Sequence, residues 1–141
     1  MIGIVVAMHG ELSEALVNTA QHVVRDAEIR IVAVGIRPGD DAAAFETRLT
    51  EAIQKVQSPQ GVLILTDMFG GTPSNVGMTL HRPGEIEVLT GANLPMLIKA
   101  LQVAKADVSL MLAARLVKDA GARAITVGTD VLSGSTKESV G

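Results

Sequence analysis

His9 closes the first apolar run of the chain, and Asp67 closes the third. A histidine so placed can be a nucleophile, a metal ligand or a passive loop residue. The nucleophile needs one ring nitrogen free and the other held by an acceptor. A carboxylate from a neighbouring loop does this, fixing the tautomer and stabilising the cation that forms; Asp67 stands where such a carboxylate is wanted. A metal site would call for more His or carboxylate ligands nearby, and the other histidines, His22 and His81, fall within or at the ends of predicted helices, away from His9. The segment Gly70-Gly71-Thr72-Pro73-Ser74-Asn75 follows Asp67 closely. Two glycines let backbone approach a ligand. Free N–H groups there, with the hydroxyls of Thr72 and Ser74, can form an anion pocket. By itself the run is equally an ordinary glycine turn before a capped helix.

The elements that must carry these residues alternate. Residues 2–7, 29–36, 61–66 and 85–89 are short, apolar, β-branched runs, the mark of strands covered on both faces. Between them lie stretches with helical spacing. The first predicts an inward stripe of Leu12, Ala15, Leu16, Thr19, Ala20 and Val23, and the second one of Phe45, Leu49, Ala52, Ile53 and Val56, with Asp40 or Asp41 as N-cap. Thr72-Pro73 reads as N-cap and first residue of a short helix ending near His81. Asn93 reads as the cap of a helix that buries Met96, Leu97, Ala100, Leu101 and Ala104. Asp107 can cap another, with Met111, Ala114 and Val117 inside and Gly121 closing it. Residues 123–132 read as a last strand and 133–141 as a polar tail, so that residues 1–132 form one domain.

The order βαβαβαβααβ implies an α/β fold, doubly wound, with a mainly parallel sheet of order 2-1-3-4 plus a C-terminal edge strand and helices on both faces. Ligands of such sheets bind beyond the carboxyl ends of the strands at the topological switch point. The first and third loops, holding His9 and Asp67, flank that point. Met8, Met68, Phe69, Leu94 and Met96 are candidates for an apolar docking rim around it, although half-buried loop packing is the commoner reason for such residues.

The composition narrows the function. The chain has 141 residues, enough for one core. It has no cysteine, which removes disulfides, thiol catalysis and thiolate metal sites and fits a reducing cytosol. With aromatic residues at 1% and a net charge of -3 without any basic run, neither base stacking nor a nucleic-acid footprint is expected. No stretch has the ~20 continuous apolar residues of a spanning helix, so no direct membrane insertion is expected. A response-regulator receiver would need an acidic pair where Met8-His9 stands. A P-loop, a dinucleotide fingerprint after the first strand and a G-x-S-x-G elbow are all missing from the sequence.

Three segments together resemble the IIA component of the mannose-type phosphotransferase family. They are Ala7-Met8-His9-Gly10, the block from Leu65-Thr66-Asp67 through Met68-Phe69-Gly70-Gly71-Thr72-Pro73-Ser74-Asn75, and Gly91-Ala92-Asn93-Leu94-Pro95-Met96-Leu97. Their order and spacing match over about the first 130 residues. The resemblance implies that His9 accepts a phosphoryl group from phospho-HPr and passes it to a histidine of a IIB component, for sugar uptake. It implies that Asp67 holds the ring so that Nε2 accepts, and that Thr72 touches the phosphate. It also implies a homodimer in which the strand near 124–132 joins the partner's sheet. No cofactor or metal is called for. Some relatives carry Trp where Phe69 stands, and others continue into a IIB domain that this chain does not show. A regulatory phosphoprotein, switching partner binding through His9, is the alternative.

Overall fold

In the computed structural model, residues 1–134 are described. Four strands, β1 (Gly3–His9), β2 (Ile31–Ile36), β3 (Val62–Thr66) and β4 (Ile86–Leu89), form one sheet of order β2-β1-β3-β4. All three pairings are parallel, as the alternation of strands and helices requires. In the central pair, Ala7 of β1 lies opposite Thr66 of β3, which brings the chain just beyond β3 level with the end of β1.

The central strands are apolar on both faces because both faces are covered. Ile4, Val6 and Met8 of β1, with Leu63 and Leu65 of β3, belong to one core. That core is closed by α1 (Leu12–Val23), α4 (Leu94–Val103) and α5 (Leu110–Arg123). Val5, Ala7, Val62 and Ile64 point the other way. There they meet α2 (Ala42–Val56), through its predicted stripe of Phe45, Leu49, Ala52, Ile53 and Val56, and Val76 of α3 (Thr72–Thr79). The stripe predicted for α4 is likewise buried.

The C-terminal edge strand does not form. α5 continues to Arg123, and a short α6 (Gly128–Ser133) replaces the second half of the predicted run. The residues between pair with none of the four strands. Val127 has an extended backbone but no ladder to join. The polar tail predicted at 133–141 falls, from residue 135 on, outside the described residues.

Smaller corrections concern register and caps. In α1 the buried residues are Ser13, Val17 and Ala20, while Leu12 and Val23 are exposed. Gly71 rather than Thr72 holds the N-cap position of α3, and Ser109 rather than Asp107 caps α5 by accepting the Leu112 N–H. Met111 is exposed, and Gly121 lies buried inside α5 instead of ending it. Asp41 caps α2 through the Ala44 N–H at 2.7 Å.

Candidate functional site

β1 and β3 are neighbours, and the chain leaves β1 for β2 on one side before returning to β3 on the other. This is the switch point, and both expected residues are there. His9 is the last residue of β1 and Asp67 the first after β3. Asp67 Oδ2 accepts the His9 backbone N–H at 3.0 Å and lies 2.8 Å from His9 Nδ1. An ionised carboxylate only accepts hydrogen bonds, so Nδ1 carries the hydrogen and Nε2 keeps its lone pair. The His9 side chain is 46% exposed and that of Asp67 12%: the ring faces solvent, and its orienting group is largely sheltered.

Burial pulls the Asp67 carboxyl upward, but the hydrogen bonds from the His9 backbone and ring, with the attraction of the ring's charge, outweigh it and hold the group below its ordinary value of 3.8. Asp67 is thus carboxylate at any pH near neutrality. Its place is fixed from the sheet: Thr66 is fully buried, its hydroxyl donates to the Leu89 carbonyl, and its carbonyl accepts the Ala92 N–H at 2.9 Å. The loop after β4 is in turn held by Asn93, which accepts the Met96 N–H and donates to the Gly121 carbonyl of α5 at 3.2 Å.

The glycine loop divides into two roles. Gly70 has φ +86°, a left-handed conformation that suits glycine. Its N–H donates to Ser74 Oγ at 3.1 Å, and Ser74 is fully buried. Neither group therefore faces a ligand as expected of an anion pocket; together they shape the loop. Gly71 faces the imidazole directly. A Cβ there would lie 2.8 Å from His9 Cε1 and 3.4 Å from Nε2, so only glycine leaves the ring in place. Among the described residues neither the Gly71 N–H, the Thr72 N–H nor the Thr72 hydroxyl has a hydrogen-bond partner. These are free donors at the start of α3, and the Gly71 backbone among them lies against the His9 ring.

The apolar rim shrinks to its outer members. Met8 and Met96 are buried in the core, whereas Met68 and Phe69 are exposed at the loop tip, Phe69 by 77%. His22 bonds to the Asn18 carbonyl on α1, and His81 pairs with Glu87 at the far end of α3. Sequence reasoning does not single out Gly35, in β2, whose Cα lies against the Gly10 carbonyl. An isolated glycine inside a strand pattern was the signal for such a close approach.

Comparison with known proteins bears on this geometry. Residues 3–118 match the EIIA-man family, described as the PTS system fructose IIA component. The chain belongs to the EIIA-man family. This EIIA-man chain is 31% identical over 109 residues to the PTS system mannose-specific EIIAB component of Escherichia coli (strain K12), a match that takes in 77% of the chain and 33% of that protein. The chain thus spans about a third of the length of that relative. It is 26% identical over 104 residues to the PTS system fructose-specific EIIA component of Bacillus subtilis (strain 168), covering 73% of the chain and 70% of that protein. The fold is that of the phosphotransferase system component EIIA from Streptococcus agalactiae, with a TM-score of 0.81 at 23% identity over 96% of this chain and all of the other. Among the described residues no helix of this EIIA-man chain is long and apolar enough to cross a membrane.

Proposed function

We propose that this chain is a phosphocarrier of a sugar phosphotransferase system. His9 accepts a phosphoryl group from phospho-HPr and hands it to a IIB component. The observation that carries the reading is the His9–Asp67 clasp, which leaves Nε2 as the free nucleophile over Gly71.

In the forward step the Nε2 lone pair attacks phosphorus in line, the N–P bond of phospho-HPr breaks, and its electron pair returns to the donor imidazole. Asp67 holds the ring and compensates the positive charge that grows on it. The N–H groups of Gly71 and Thr72, with the Thr72 hydroxyl, receive the phosphoryl oxygens. Most of the catalysis is positioning and electrostatics, because the group in flight is loosely bound. The field at the α3 N-terminus contributes about 0.3–1 kcal/mol, so direct hydrogen bonds carry most of the load. Delivery to the acceptor runs the same step in reverse. An exposed ring suits this use, since both partners are proteins that must reach it.

Exposed Met68 and Phe69 support docking of those partners beside His9. The reading extends to a homodimer closed over the apolar C-terminal residues that stand exposed on one chain, to residues 1–132 as the working domain, and to the cytoplasm as its place.

The test is incubation with phosphoenolpyruvate, enzyme I and HPr, followed by assay for acid-labile phosphate on the chain and for its passage to a IIB protein. Labelling is expected in the wild type and absent in His9→Ala. Label that persists in His9→Ala removes His9 from the role.

A further inference from the structure

We propose that the contact between Gly35 and the Gly10 carbonyl is the device that positions His9, which makes Gly35, on a different strand, a positioning residue for the transfer. The proposal rests on the reading of His9 as the phosphoryl acceptor.

The contact arises from the way β1 ends. The Gly10 N–H donates to the Ile36 carbonyl at 2.8 Å, one ladder bond beyond His9. Gly10 then turns at φ +59°, a left-handed conformation. The turn drops its carbonyl onto β2, where a Cβ on Gly35 would lie 2.2 Å from the Gly10 oxygen and 3.4 Å from its carbon. Both are backbone atoms, so no flexible side chain can yield. Nor is β2 free to retreat: the Gly35 carbonyl accepts from Arg48 Nη1 at 2.9 Å, and Arg48 is paired with Asp40. Ser13 shuts the third side. It is fully buried, its hydroxyl has no partner among the described residues, and it would sit 3.6 Å from the same Cβ.

A side chain at Gly35 must therefore be relieved by moving Gly10. His9 is the adjacent residue, and its N–H and Nδ1 share the single oxygen Asp67 Oδ2. A shift of the turn strains both bonds at once and tilts Nε2 away from Gly71. Displacement of about 1 Å at such a distance from the chemistry can cost about 100-fold in rate.

The experiment is 15N NMR of the His9 ring and amide in wild type, Gly35→Ala, Gly10→Ala and Gly10→Asn, with thermal melting as the check on folding. Ala at position 10 meets no atoms but disfavours the left-handed turn, whereas Asn tolerates it. Gly35→Ala and Gly10→Ala are expected to lose the Nδ1–H signature and the carboxylate-bonded amide shift of His9, moving toward the spectrum of Asp67→Asn. Gly10→Asn is expected to stay close to wild type. In phosphoryl transfer the two Ala variants should lose about 10- to 100-fold in kcat with KM for phospho-HPr nearly unchanged. Folded Ala variants whose His9 signals match wild type overturn the proposal. So does a Gly10→Asn ring displaced as far as that of Gly10→Ala. If Gly35→Ala does not fold, the Gly10 pair decides. A wild-type chain that takes no phosphoryl group overturns the functional reading instead, and leaves the spectra to judge the contact alone.

Discussion

One oxygen of Asp67 serves two donors of His9, and that economy has consequences for a single substitution. In Asp67→Asn the His9 amide keeps an acceptor, but the ring loses the charge that holds the Nδ1–H tautomer and that, on the proposed function, would stabilise the phosphorylated ring. Removal of an orienting carboxylate can cost up to about 10⁴-fold, so transfer should fall by about 100-fold or more while circular dichroism stays unchanged. The same pair shapes acid stability. The Asp67 carboxyl is lowered in the folded chain, so its contribution is present above the unfolded value, near 3.8, and is lost as pH falls through the lower folded value. Urea midpoints between pH about 5 and 2 should drop more steeply for wild type than for Asp67→Asn; parallel curves would show that the clasp contributes no stability. Gly71→Ala tests the other side of the ring. Its Cβ would displace the imidazole, and transfer should fall about 10-fold or more, with a stability loss of no more than about 1 kcal/mol in urea melts. At this scale the sequence is informative where chemistry and strand position coincide, as at His9 and Asp67. At Gly35 it offers an isolated glycine inside a strand, which signals a close approach without naming the neighbour, and at Ser74 it is ambiguous, since the hydroxyl suits a ligand pocket and a buried turn equally well.

Among the elements, those with one dominant apolar stripe were readable to the residue. Phe45, Leu49, Ala52, Ile53 and Val56 leave no doubt which side of α2 faces the sheet. α1 misleads because its most hydrophobic exposed residues, Leu12 and Val23, compete with a truer face of Ser13, Val17 and Ala20. Val17 and Ala20 of that face join the core, while Ser13 sits at the tight corner of Gly10 and Gly35, where hydrophobicity is no guide. The predicted last strand fails for a different reason: strand propensity reports fitness for a pleated surface, and residues 124–127 have no neighbouring strand to supply one. The loop after β4 is the element whose cap also does tertiary work, since Asn93 both starts α4 and holds α5. Asn93→Ala removes the cap, worth about 0.5–2 kcal/mol, and leaves the Gly121 carbonyl without its donor, about 1 kcal/mol more. Urea denaturation should show a total loss of about 1.5–3 kcal/mol. A loss confined to a few tenths would mean that the link to α5 carries no weight.

For the whole molecule the sheet order explains why one rim can hold an exposed histidine clasped by a carboxylate. Only where the winding reverses do two neighbouring strands send their following loops apart and leave an open crevice between them. The opposite feature of the molecule is its C-terminal end, where Ile125, Val127, Val131 and Leu132 are exposed, Leu132 by 89%. These residues follow the segment matched by the family, which ends at 118. Four large apolar side chains gathered within eight residues are more than scattered surface hydrophobicity accounts for, and they are the surface on which the proposed dimer would close. Self-association through them would bury the apolar end. Sedimentation velocity should therefore find a dimer in the wild type. Ile125→Glu combined with Leu132→Glu should shift the chain toward monomer, while His9 still accepts phosphate from phospho-HPr at close to the wild-type rate. A double variant that remains dimeric would place the interface elsewhere, and one that becomes monomeric and loses transfer would mean that the second copy supports the site.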